Sequence, residues 1–295
     1  MKPRDTTSGR AYLDLKALAK RHRRSVDELF GLYALEGFLS RLAVSAYASK
    51  FILKGGVLLA AFEARRATQD VDFLVRRLSG DTRQMLAVAR DIAGISLDDG
   101  LVYDTDAAKV QEIRTAEVYP SVRVSLAAEL FTARLSFHID ISVGDPVWPE
   151  PQAIDVPKLL GGYLQVTGYP LVMVLAEKIS ACIQLETRNT RWRDFADIWT
   201  LTRHHDVNGM DLCVALGKAT AHRRVTQAPL AEALGGFGNY AQGRWSGWRS
   251  RMNLEDSLPA RFGDVVDEVI YFADPVITGD ASGLTWRAMA QEWRR

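Results

Sequence analysis

The sequence predicts an α/β (α+β) protein with its strands gathered in the first half of the chain. Two observations predict it. Residues 134–143, RLSFHIDISV, alternate apolar and polar at period two, the pattern of a half-buried strand. Beyond about residue 170 the apolar positions recur at helical spacing instead, as in Leu171, Val174, Leu175, Ile179 and Ile183. Between these stretches, residues 149–170 are irregular and rich in proline and glycine, which places a boundary near residue 150. The expected domains are therefore 1–150 and a mainly helical 151–295.

The 295 residues are enough to bury a sizeable core, and 47% hydrophobic with 25% charged residues is the composition of an ordinary globular protein. A net charge of +1 carries no overall signature of a polyanionic partner. Locally, residues 1–25 hold eight Lys or Arg against two acids, Asp5 and Asp14. Cys182 and Cys213 both lie in apolar, helix-like stretches and read as buried free thiols in a reducing compartment, with no ligand spacing for a metal. No run approaches the roughly 20 apolar residues of a membrane span, and the basic N-terminus lacks a signal peptide's apolar run. The expectation is a cytoplasmic protein with no membrane partner.

In chain order, residues 11–48 read as two helices. Ser25 and Glu28 form a capping-box pattern at the start of the second, and Leu29, Leu32, Leu35, Leu39 and Leu42 continue it. Residues 81–94 read as a third helix. Strand candidates follow at 101–103, 107–113 and 121–127, then the alternating strand at 134–143.

The chemistry centres on residues 51–74, FILKGGVLLAAFEARRATQDVDFL. An apolar run leads into Lys54-Gly55-Gly56, a short apolar helix follows, and Asp70-Val71-Asp72 heads a second apolar run. Asp70 and Asp72 are two apart, so on a strand they share a face while Val71 points into a core. Two carboxylates on one face repel unless a cation sits between them, and such oxygen ligands suit magnesium. Paired glycines let the backbone approach a ligand and offer N–H groups to phosphate oxygens. Asp140 lies mid-strand on the polar face of 134–143. His138 shares that face and reads as a hydrogen-bonded bystander. In the second half, Lys178 sits mid-helix. Arg188, Arg191 and Arg193 crowd the joint before the next helix, where Asp194 and Asp197 are three apart on one face. A self-neutralising network is the alternative reading of this joint.

An apolar residue, a glycine pair, a thirteen-residue spacer (57–69) and Asp-x-Asp together resemble the signature of the DNA polymerase beta-like nucleotidyltransferase superfamily. The wider set is similar to the AbiEii family of nucleotidyltransferase toxins, including the MenT toxins, of type IV and type VII toxin–antitoxin systems. It comprises Lys54-Gly55-Gly56, Asp70-Val71-Asp72, His138-Ile139-Asp140-Ile141 with Gly144-Asp145, Glu177-Lys178-Ile179, and Arg193 to Ile198. Trp245, Trp248 and residues 262–276 complete it. Gly56 stands where many relatives carry serine, leaving backbone N–H groups to meet phosphate.

The resemblance implies a bilobed fold, with a small mixed sheet in the N-terminal lobe and a helical C-terminal lobe that contributes Lys178 and Asp194 to the site. It implies magnesium (or Mn2+) at Asp70, Asp72 and Asp140, with action as base toward the incoming 3′-hydroxyl the alternative role of Asp140, and an NTP substrate met by Lys54, Gly55, Gly56, Lys178 and Arg188. Asp194 would orient Lys178 or a nucleotide group. The implied reaction adds NMP, a pyrimidine favoured, to the 3′ acceptor end of tRNA, which blocks aminoacylation and translation. The implied partners are tRNA, NTP and a cognate antitoxin, with the toxin itself monomeric. Basic surfaces (Arg21, Arg23, Arg24; Arg188, Arg191, Arg193; His222, Arg223, Arg224; Arg244, Arg249, Arg251) are candidates to grip tRNA phosphates, a solvated helix end being the alternative reading of the first cluster. Trp245 and Trp248 either pack in the core or stack on acceptor-end bases. A phosphate on Thr68, two residues before Asp70, would put about −1.5 to −2 charges beside the metal acids, so Thr68 is a candidate regulatory phosphosite. The rival readings are a nucleotidyltransferase acting on a protein or small molecule, and a non-catalytic nucleotide-binding module.

Overall fold

The computed structural model describes residues 3–65, 68, 70–113 and 121–295. The chain divides into two compact units, Met1–Asp145 with Pro151–Tyr169, and Pro146–Glu150 with Pro170–Arg295.

The first unit begins with α1 (Thr7–His22), whose first turn is capped by the Thr6 hydroxyl accepting from the Gly9 N–H at 3.0 Å. Next comes α2 (Val26–Val44). The Ser25 side chain makes no cap hydrogen bond; Glu28 pairs with Arg24 instead, so the expected capping box does not form. A guanidinium one turn away outcompetes a backbone amide for that carboxylate. Then follow β1 (Phe51–Lys54), α3 (Gly55–Leu58), β2 (Asp70–Val75) and α4 (Thr82–Ala93). The strands β3 (Leu101–Ile113), β4 (Ser121–Leu130), β5 (Ala133–Val143), β6 (Gln152–Pro157) and β7 (Tyr163–Gly168) complete the unit.

Seven strands form one mixed sheet in the order β3-β4-β5-β2-β1-β7-β6. The pairs β2–β5 and β1–β7 are parallel, and the others are antiparallel. Two sequence expectations change here. The candidates 101–103 and 107–113 are one strand, with an irregularity between Asp104 and Lys109 where the Ala107 N–H donates to Asp104 Oδ1 at 3.0 Å. The irregular stretch 149–170 contains the hairpin β6–β7, which joins the sheet because β7 pairs with β1 at Leu53↔Gly168. No local pattern announces that long-range pairing.

Val71, Phe73, Val124, Phe137, Ile139 and Ile141 bury one face of this sheet, and α2 packs against β5 and β7. The apolar face makes α2 almost wholly buried, and its two buried charges each have partners. Glu36 accepts from the Leu159 N–H and from Arg65 at 2.7 Å, and Arg65 also donates to the Pro157 carbonyl. That network ties α2 to the β6–β7 turn and to the chain running toward Asp70. Arg41, 1% exposed, makes a bidentate pair with Asp99 at 2.5 and 3.1 Å, and its guanidinium lies over the Tyr103 ring.

The second unit is mainly helical. It runs through α5 (Leu171–Leu185), α6 (Trp192–His204), β8 (Val207–Asn208), α7 (Gly209–Arg223), α8 (Leu230–Ala233) and α9 (Phe237–Tyr240). It ends with α10 (Gln242–Arg251), α11 (Phe262–Thr278), β9 (Thr285–Arg287) and β10 (Glu292–Arg294). The last two strands and β8 form a small sheet. Trp192, Phe195, Phe237, Trp245 and Phe262 form an aromatic core with ring centroids 4.8–6.0 Å apart. Trp245 is fully buried and its indole N–H donates to the Pro259 carbonyl, so it packs in the core and is not available to stack on a base. Cys182 is buried as expected, while Cys213 is half-buried. No helix among the described residues is long and apolar enough to cross a membrane.

The Arg41–Asp99 pair sets a stability expectation. Asp99→Ala leaves a buried guanidinium without its carboxylate and lowers the unfolding free energy by about 3 kcal/mol in denaturant titration. The double variant Arg41→Leu/Asp99→Ala loses less than the two single variants added together. Full additivity would show that the two side chains do not stabilise each other.

Candidate active site

Asp70 and Asp72 occupy alternate positions at the head of β2, and Val71 between them is fully buried. The parallel register of β2 on β5 sets Asp70 opposite His138 and Asp72 opposite Asp140. On the other side of β2, Lys54 at the end of β1 is opposite Asp72, and on the far side of β5, Arg123 of β4 is opposite Asp140. One row across four strands therefore reads Arg123, Asp140, Asp72, Lys54. Adjacent strands are about 4.8 Å apart, so the central acids are neighbours with a cationic residue on each flank.

The Arg123 guanidinium forks both oxygens of Asp140, Nε to Oδ1 at 2.7 Å and Nη2 to Oδ2 at 2.6 Å, and lies 3.7 Å from Asp70 Oδ2. The hydrogen bonds to Asp140 raise the guanidinium's pKa against the opposing effect of burial, and the charges of Asp140, Asp70 and Asp72 add to the rise. Lys54 is ion-paired with Asp145, which also accepts from the Ser142 hydroxyl. His138 is hydrogen-bonded to Ser125 Oγ at 3.0 Å, consistent with a bystander.

Gly55 is required by both conformation and space. Its φ is +68°, and a Cβ there would fall 1.9 Å from Asp72 Oδ2. The Asp72 carboxylate thus lies directly against the glycine backbone. Gly56 is buried in the first turn of α3. Thr68 is half-buried; its hydroxyl donates to the Asp70 carbonyl at 3.0 Å and accepts from the Asp70 N–H at 3.4 Å, which fixes the entry into β2.

Oxygen donors of this kind suit a hard divalent cation, and Asp70 with Asp72 fits one by chemistry. Asp140 is differently committed, because both its oxygens carry Arg123. Among the described residues no three His, Cys, Asp or Glu side chains are grouped as a metal site.

The second unit holds a separate cluster. Lys178 Nζ on α5 is 3.1 Å from Asp194 Oδ1 and 2.6 Å from Asp197 Oδ2 on α6. Arg191 Nε reaches Asp194 Oδ2 at 2.9 Å, and the Arg191 N–H donates to buried Asn189 at 2.7 Å. Burial alone would raise the Asp194 pKa, but Lys178 and Arg191 reverse it and hold the carboxyl below its ordinary value. Arg191 thus belongs to the self-neutralising network, whereas Arg188 and Arg193 are exposed. Of the other expected basic positions, Arg21, Arg23, Arg224, Arg244 and Arg251 are exposed. Arg24 and Arg223 are part-buried against Glu28 and Gln184.

Three further residues join these clusters: Arg123, which no motif marks, and Asp145 and Asp197, which lie within motifs but carry no expected role there. Arg123 lies on the less buried face of β4, alternating with the buried Val122 and Val124, and a charged residue on that face was its only signal. Asp145 follows Gly144, whose φ of +86° turns the chain back toward Lys54. Asp197 is three residues after Asp194, on the same helix face.

Two glycine substitutions separate strain from collision. Gly144→Ala meets nothing within 4 Å and costs only the left-handed backbone term, about 1 kcal/mol. Gly55→Ala must also displace the Asp72 carboxylate and costs at least about 1 kcal/mol more by chemical unfolding. Equal losses would contradict the close approach of Asp72 to Gly55.

Comparison with known proteins gives the chain a family. No curated protein matches the sequence significantly. The crystal structure of JHP933 from Helicobacter pylori aligns at 14% identity with a TM-score of 0.47, over 83% of this chain and 89% of that chain. The family model described as nucleotidyl transferase AbiEii toxin, type IV TA system, matches residues 37–290. That span takes in both charged clusters, and the chain belongs to the AbiEii nucleotidyl transferase toxin family.

Proposed function

We propose that the protein is a toxin that transfers a nucleotide from an NTP to the 3′ acceptor end of tRNA, with a pyrimidine nucleotide favoured and magnesium or manganese required. The observation that carries the reading is the Asp70–Asp72 pair on one strand face, with Asp72 against Gly55, in a chain of this family. The tRNA acceptor rests on the resemblance to MenT-type toxins and on the exposed arginines. Blocked aminoacylation, and with it stopped translation, would be the consequence, and the toxin–antitoxin family supplies the expectation of an antitoxin partner.

In this reading the acceptor's 3′-oxygen forms a bond to the α-phosphorus, the bond from that phosphorus to the bridging oxygen of pyrophosphate breaks, and pyrophosphate leaves with the electron pair. The hydroxyl proton passes to a carboxylate oxygen, Asp140 being the candidate base. Asp70 and Asp72 would hold a divalent cation, which when bound supplies charge stabilisation for the phosphoryl oxygens. Lys54, aimed by Asp145, and the backbone N–H groups of Gly55 and Gly56 would meet the triphosphate. Lys178, oriented by Asp194 and Asp197, would neutralise charge building on the β and γ phosphates, with Arg188 contributing to nucleotide binding. Asp140 is the third acid of the set.

Purified protein, magnesium, each α-labelled NTP in turn and total tRNA are the ingredients of the test. Label on tRNA, with one pyrimidine NTP preferred, is the expected result. Asp70→Ala lowers the rate by at least about a hundredfold in a protein that still folds by thermal unfolding; Lys178→Ala lowers it as much and also loses stability, because Asp194 and Asp197 stay buried without their cation. Label on a protein or small molecule would replace the acceptor, and NTP binding without transfer would leave a binding module.

Thr68 belongs to the same reading as a regulatory phosphosite. Phosphorylation removes its donation to the Asp70 carbonyl and places negative charge beside Asp70. A Thr68→Glu protein is expected to transfer more slowly in the same assay, and an undiminished rate would argue against the site.

A further inference from the structure

The row across the sheet contains its own cation at the position where the third acid would help to bind a metal. Arg123 takes both oxygens of Asp140 in a fork and also lies within 3.7 Å of Asp70. A bidentate guanidinium is the strongest partner a protein offers a carboxylate, and its planar geometry uses both oxygens at once. The register of β4 on β5 sets Arg123 directly opposite Asp140, so the pairing is built into the strand alignment. The group is not sealed from water, since the Arg123 side chain is 28% exposed and that of Asp140 is 18% exposed. An exchange of cations is therefore sterically open.

We propose that Arg123 is a positioning residue of the acidic face, holding Asp140 as its counter-ion and competing with a divalent cation for the carboxylates of Asp140 and Asp70. Cation entry at the third acid then requires Arg123 to give up Asp140. Arg123 keeps the acids from repelling one another in the cation-free protein and sets how tightly they take a cation. The inference rests on the reading of Asp70 and Asp72 as cation ligands and adds a residue that tunes that affinity.

The test is Mn2+ binding to the purified full chain without nucleotide, read from the electron paramagnetic resonance signal of free Mn2+. Arg123→Gln is expected to bind Mn2+ at least about tenfold more tightly than wild type, a modest share of the effect of one removed charge at this distance because the site is partly solvated. Arg123→Lys keeps the charge but not the fork, and falls between the two. Arg123→Gln/Asp140→Asn binds no more tightly than Asp140→Asn alone, which ties the gain to Asp140. Thermal unfolding identifies any variant that fails to fold, and Arg123→Lys then carries the test alone. Unchanged or weaker Mn2+ binding by a folded Arg123 variant, while wild type binds Mn2+ with NTP present, would overturn this inference only. No Mn2+ binding by any of the proteins, with or without NTP, would overturn it together with the cation reading of the site.

Discussion

The parallel pairing of β2 with β5 is the constraint on which the first unit's chemistry depends. Its register sets Asp72 beside Asp140. Two carboxylates about 5 Å apart repel by about 3 kcal/mol at an effective dielectric constant of about 20. The sheet order answers that repulsion, because the strands outside the pair bring Arg123 on one flank and Lys54 on the other. A different strand order would leave the acids together without their cations. The apolar residues between them, Val71, Ile139 and Ile141, hold the register by burial, since a one-residue slip would carry the acids into the core.

Compensation of charge is also the rule in the second unit, by a different route. Lys178 comes from the middle of an apolar helix and would be costly there alone. Asp194 and Asp197, one helical turn of α6, meet it together, and Arg191 balances the second negative charge. The result is a lysine held in one orientation by two acids. The exposed arginines Arg188 and Arg193 in the same joint lack that confinement and remain on the surface.

Close approach is the third device. The left-handed conformation of Gly55 and the absence of its Cβ let the Asp72 carboxylate rest on the backbone where β1 ends and α3 begins. The Thr68 hydroxyl holds the other side of the aspartate pair through both backbone groups of Asp70. The two aspartates are thus clamped at both ends of their short run, while the buried Glu36–Arg65 network anchors the chain that leads into it.

By itself the sequence determined what depends on local period and chemistry. Alternation in 134–143 identified β5 and put Asp140 on its polar face, and the Asp-x-Asp spacing put Asp70 and Asp72 on one side of a strand. Helical spacing identified α5 and α6, and the combined motifs identified the family. These features repeat within a few residues, so the chain writes them linearly. Only the tertiary structure decided the pairings between distant segments: Arg123 on Asp140, Asp145 on Lys54, Asp197 on Lys178, and the hairpin of 152–168 beside β1. It also decided between readings that local pattern left open, placing Trp245 in the core and Arg191 in a salt bridge. The physical reason is that strand order and helix packing are settled by burial of whole faces, and the partner of a buried charge is whichever residue that burial brings within hydrogen-bonding distance.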